Sequence, residues 1–124
     1  MKVKVLGKYG PYPKSGGATS AYLLTSDSAT VAFELGSGAF VRLINSVDVS
    51  DLDAIIISHF HFDHCSDIGV LSYYLLRLSI AGKVKLPVKL YCPECDSPLL
   101  AAFKNMKAFD VISVGDGQEI RLKD

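Results

Sequence analysis

The chain has 124 residues, 49% hydrophobic and 21% charged, with Lys plus Arg equal to Asp plus Glu. That length suits one domain with its own core, and that composition excludes a disordered chain. A formal charge of zero gives no general reason to expect a polyanion-binding surface, although a local basic patch could hide behind it.

Lys2 to Leu6 alternates polar and apolar residues and predicts a half-buried strand. Residues 7–17 carry Gly7, Gly10, Pro11, Pro13, Gly16 and Gly17, which break any regular element, so this stretch reads as a loop. Ala18 to Thr25 and Thr30 to Glu34 are β-rich runs around Ser26-Asp27-Ser28 and predict a hairpin. Gly36-Ser37-Gly38 reads as a tight strand-to-helix turn, because it lacks the lysine and spacing of a phosphate-binding loop. Phe40, Leu43, Ile44 and Val47 then fall on one helical face.

Ala54-Ile55-Ile56-Ile57 fits a strand buried on both faces. A helix is predicted over Ser66 to Ala81, with Ser66 as N-cap, Gly82 just past the end, and Ile68, Leu71, Leu75 and Leu78 as its buried stripe. Val88 to Tyr91 reads as a strand and Ser97 to Lys107 as a helix with Pro98 in first position. Val111 to Val114 and Glu119 to Leu122 read as a closing hairpin across Gly115-Asp116-Gly117. Tyr73 and Tyr74 are assigned to packing.

The three cysteines, Cys65, Cys92 and Cys95, are too few and odd in number for a disulfide framework. They suggest a reducing, cytoplasmic setting, and the first residues show no signal-peptide pattern. Cys92-Pro93-Glu94-Cys95 is a lone C-x-x-C, for which a turn with incidental thiols outweighs a redox pair. Cys65 is either a soft ligand or an inert buried thiol, and the second is favoured.

The chemistry concentrates in Ser58-His59-Phe60-His61-Phe62-Asp63-His64, directly after the Ile-rich strand. All three histidines of the chain lie in this window. Imidazole nitrogen and carboxylate oxygen suit zinc, and also manganese or iron. In an extended segment His59 and His61 point the same way, whereas Asp63 and His64 need a chain turn to join them. The bland alternative, three solvated histidines on a polar loop, explains neither the interleaved Phe60 and Phe62 nor the aspartate.

This string resembles the H-x-H-x-D-H motif of the metallo-β-lactamase superfamily. The order around it is also similar: a Gly-rich first loop, paired strands ending in Glu34-Leu35-Gly36-Ser37-Gly38, a helix, the Ile-rich strand, the motif and a following helix. The run most resembles the ribonuclease Z-like phosphodiesterase branch. The resemblance implies an α+β chain, half of a four-layer αββα sandwich, with a mixed sheet and helices on one face. Residues 1–124 would be the N-terminal portion of that domain. His59 and His61 would serve a first metal ion and Asp63 and His64 a second, with Asp63 also handling a proton in catalysis.

The family completes its sites with a third histidine, a bridging aspartate and a final histidine, and no histidine follows His64 here. The family often has an aspartate where Glu34 stands, as a partner to a metal-bound imidazole. Asp67 reads as a helix-dipole carboxylate or a group near the second ion. Two hypotheses follow. One is a dinuclear hydrolase of phosphodiesters, RNA among them. The other is an inactive half that binds metal only as a homodimer or with a complementary C-terminal half.

Overall fold

Successive β-rich runs separated by helical ones build a single sheet whose strands lie side by side in the order of the chain. The computed structural model describes residues 1–123. The strands are β1 (Lys2–Gly7), β2 (Ala21–Thr25), β3 (Thr30–Leu35), β4 (Ala54–Ile56), β5 (Val88–Cys92) and β6 (Phe109–Ser113). β1, β2 and β3 pair antiparallel, whereas β3 through β6 pair parallel. Each parallel step needs a crossover, supplied by α1 (Ala39–Ser46), then α2 (Phe62–Cys65) with α3 (Ile68–Ile80), then α4 (Pro98–Lys104). Right-handed crossovers that step in one direction along a sheet all lie on the same side of it.

Burial agrees with a sheet covered on one face. Leu23, Ala32, Ile55 and Leu90 share a register row and are all buried, beneath Leu43, Ile68, Leu71 and Leu75 of the helices. The opposite row runs Val5, Tyr22, Phe33, Ile56, Tyr91 and Ile112. It is also apolar, yet Val3 and Val5 are each 57% exposed and Tyr22, Phe33, Ile56 and Ile112 are only half-buried. The Ile-rich run is therefore sealed on one side only, against the expectation of two buried faces.

Three other sequence expectations need correction. No strand forms over Glu119 to Leu122, and β6 pairs parallel with β5 instead of closing a hairpin. The edge of a parallel sheet gives β6 enough backbone partners without one. The helix predicted from Ser66 begins at Ile68 as α3, with Asp67 in the N-cap position, and the single turn α2 stands before it. The helix expected to reach Lys107 ends at Lys104. Other signals hold: Gly82 takes the left-handed conformation past α3, and the Ser97 hydroxyl accepts from the Leu99 amide with Pro98 at the start of α4. Among the described residues, no helix is long and apolar enough to cross a membrane.

Candidate metal centre

β1, β3 and β4 run in the same direction, so Gly7, Leu35 and Ile56 end on one edge of the sheet. The site is assembled there. Beyond β4 the chain stays extended through His61 (φ −67°, ψ 143°) and then makes the single turn α2. That turn, closed by His64 N–H donating to the His61 carbonyl at 3.0 Å, swings Asp63 and His64 back towards His59. Phe60 faces the core beside Phe103, with ring centroids 6.1 Å apart, and thereby turns its neighbours His59 and His61 outward. Phe62 stays 71% exposed.

All four sequence-predicted residues are brought together. The ring centroids of His59 lie 4.8 Å from His61 and 4.1 Å from His64. His64 Nε2 is 3.4 Å from Asp63 Oδ2. Two ligands at roughly 2.1 Å from one tetrahedral ion stand about 3.4 Å apart, so this pair is already at coordinating separation. As it stands, no group of three or more His, Cys, Asp or Glu among the described residues converges as a finished coordination site. The arrangement is a gathered set of candidate ligands.

Glu34 holds that set in place. Its carboxylate is buried at 3% exposure, accepts from the Ser58 amide at 2.7 Å through Oε1, and lies 2.9 Å from His64 Nδ1 through Oε2. A carboxylate can only accept, so Nδ1 carries the proton and the Nε2 lone pair is left free beside Asp63. The longer side chain thus does reach a motif imidazole. Glu34 adopts φ 63°, a left-handed conformation that costs a non-glycine residue about 1–3 kcal/mol. Its two hydrogen bonds are what this distortion secures. His59 Nδ1 lies 2.8 Å from the Ser58 hydroxyl, a group able either to donate or to accept there.

Other partners escaped sequence reasoning. Thr19 is fully buried; its hydroxyl accepts from the Ser37 amide at 2.6 Å and its amide donates to the Ser37 carbonyl at 2.9 Å. A Cβ at Gly36 would stand 1.9 Å from that hydroxyl and 2.2 Å from the Asp63 carbonyl oxygen, so the β3–α1 turn packs backbone to backbone against the motif. Asp67 stands at the N-cap position of α3, as expected of a helix-dipole carboxylate, and its Oδ2 accepts from the Phe40 amide at 3.0 Å at the start of α1, whose own N-cap, Gly38, has no side chain. Nothing in a linear pattern marks a cap supplied from 27 residues away.

The thiols stand outside this chemistry. Burial, then the Glu34 and Asp63 charges, push the Cys65 thiol up to about 11, and it donates to the His61 carbonyl at 3.3 Å. Burial chiefly pushes Cys92 up to about 11 as well, while Cys95 is exposed. One thiol of the three, Cys95, is therefore expected to react rapidly with a disulfide reagent at pH 8, and all three after denaturation. Two fast thiols in the native chain would contradict this. Because the raised Cys92 value keeps its proton on the folded form, its contribution to stability is present below pH 9 and is lost as pH rises through about 11.

Comparison with known proteins follows the same lines. The family model described as the metallo-beta-lactamase superfamily matches residues 15–76. The probable metallo-hydrolase YhfI of Bacillus subtilis is 36% identical over 96 residues, covering 77% of this chain and 39% of that protein. The crystal structure of the metallo-beta-lactamase fold protein YhfI superposes with a TM-score of 0.89 at 30% identity, over 96% of this chain and 48% of the other. The ribonuclease Z of Salinispora arenicola is 29% identical over 128 residues, 97% of this chain and 40% of that protein. Human tRNase Z, short form, shares the fold at a TM-score of 0.66 and 24% identity, over 91% of this chain and 45% of the other. The chain spans about 40% of the length of the curated relatives it matches.

Proposed function

Because this chain belongs to the metallo-beta-lactamase superfamily, we propose that it is the N-terminal portion of a dinuclear metal-dependent hydrolase, with His59, His61, Asp63 and His64 as its share of the ligands. The observation that carries this reading is the buried Glu34 carboxylate holding His64 Nδ1 at 2.9 Å, which leaves Nε2 free 3.4 Å from Asp63. Surface histidines with no ligand role would not need a buried, left-handed glutamate behind them. The donor set fits zinc, with manganese or iron as alternatives. Divalent ions supply Lewis-acid chemistry in such a site, activating water and offsetting charge on the attacked group. The residues present orient that chemistry: Glu34 fixes the His64 tautomer, Ser58 steadies His59, and Asp63 holds a proton at its carboxylate during attack.

The substrate proposed is a phosphodiester, RNA among the candidates, supported by the likeness to ribonuclease Z. The ligands that the family places after the motif are not among these 124 residues. A second reading therefore stands beside the first, that activity requires a complementary C-terminal half or a second copy. The half-exposed apolar face of the sheet favours it, since that face is where another layer would rest.

The test is to measure bound zinc or manganese per chain and then hydrolysis of bis(p-nitrophenyl) phosphate. Stoichiometric metal with turnover by the monomer alone sinks the reading in which a complementary half or a second copy is required. Absence of metal, with dimers or aggregates in light scattering, does the reverse. His61→Ala is expected to abolish any metal binding seen; unchanged binding would show that the ligands are misassigned.

A further inference from the structure

Two aromatic rings interleave the candidate ligands, and the fold uses them differently. Phe60 packs beside Phe103 and against the core. Phe62 is 71% exposed and stacks on no other ring among the described residues. It lies outside the hydrophobic core and outside the side chains packed against that core.

The backbone of α2 does not call for a ring at this position. Main-chain bonds close the turn: His64 N–H donates to the His61 carbonyl at 3.0 Å, and Ser66 N–H to the Phe62 carbonyl at 2.9 Å. Any residue can offer that carbonyl, and alanine or leucine has a higher helix propensity than phenylalanine. Local structure therefore accounts for the backbone of Phe62 but not for its phenyl group.

Other exposed apolar side chains have a different setting. Val3 and Val5 belong to the open face of the sheet, where another layer would rest. Val70, Tyr73 and Ile80 lie on the exposed side of α3. Phe62 belongs to neither surface. Its chain neighbours are His61 and Asp63, so a candidate ligand stands one peptide away on each side, about 3.8 Å between Cα atoms. The two main-chain bonds of the turn hold it there on a rigid mount. An ester group held by His59, His61, Asp63 and His64 must carry its organic substituents past the rim of that set. A phenyl ring at the rim stacks or packs edge-on with another planar ring, a contact that an alkyl group does not return.

We propose that Phe62 is a specificity-determining residue that stacks on a planar aromatic group of the substrate ester, so that aromatic esters are taken in preference to alkyl ones. This rests on the hydrolase reading above, because the candidate ligands are what bring the ester to the rim.

Calorimetric binding of phenylphosphonate and methylphosphonate to the chain with zinc present tests it, since the two share a charged head and differ in the organic group. Phenylphosphonate is expected to bind the wild type about fivefold tighter, which is about 1 kcal/mol. The ratio should fall towards one in Phe62→Ala and return in Phe62→Tyr, which keeps a ring. Zinc affinity of Phe62→Ala should match the wild type, because the variant removes no ligand; this also shows that it has folded. Tyr73→Ala, which removes an exposed ring on α3, should leave the ratio unchanged. Zinc uptake with equal affinity for the two phosphonates overturns this inference alone, as does a preference that survives in Phe62→Ala. Absence of zinc uptake by the wild type overturns the ligand assignment and this inference with it. A Phe62→Ala variant that turns dimers into monomers in light scattering, with the ratio unchanged, would assign the ring to a protein contact instead.

Discussion

Gly36→Ala is expected to destabilise the fold by about 3–5 kcal/mol, a large fraction of the ~5–15 kcal/mol that holds such a domain folded. The added methyl would sit 1.9 Å from the Thr19 hydroxyl and 2.2 Å from the Asp63 carbonyl oxygen. Neither neighbour can retreat. Thr19 is fully buried and bonded twice to Ser37, and the Gly36 amide itself donates to the Ser20 carbonyl at 3.0 Å. Any relief must move the Asp63 backbone, so a surviving folded fraction should also lose metal affinity. Urea denaturation followed by circular dichroism measures the first effect. Gly69→Ala is the matched control: nothing lies within 4 Å of its added Cβ, and alanine within a helix should gain up to about 0.5–1 kcal/mol. Equal midpoints for the two variants would refute the close packing of the turn on the motif.

Glu34→Ala should weaken metal binding about 10- to 100-fold and cost roughly 2–4 kcal/mol of stability. The Ser58 amide and His64 Nδ1 lose their shared acceptor in a buried place. Relief of the left-handed φ 63° offsets none of this, since alanine suffers there as glutamate does. Glu34→Gln separates the two effects. It keeps the size and one acceptor oxygen but removes the charge that raises imidazole basicity, so stability should largely return while metal affinity stays low. Zinc titration by calorimetry, beside thermal unfolding, gives both readings. Wild-type zinc affinity in Glu34→Ala would show that the carboxylate serves the fold alone.

The segment proposed to bind metal was legible in the sequence because its residues are local. His59, His61, Asp63 and His64 lie within six residues, and the turn that gathers them spans only Phe62–Cys65. The elements before β5 were legible for the same reason, as period-2 and period-3.6 patterns belong to single segments. The ends were less so. Glu119 to Leu122 looks like a strand by composition, but a strand exists only when a neighbour accepts its hydrogen bonds, and β6 pairs with β5 instead. Likewise the helix expected from Ser66 starts only at Ile68, where the Asp67 amide donates to the Leu35 carbonyl and the Asp67 carboxylate accepts from the Phe40 amide of α1.

The clustering of His59, His61, Asp63 and His64, their spacing and the strand that presents them follow from covalent neighbourhood alone. Which nitrogen of His64 is free, what the Asp67 carboxylate accepts from, and why Gly36 has no side chain emerge only from the packed fold. Those facts depend on contacts between residues 18 to 30 positions apart, and no periodicity records which distant groups the packing will bring together.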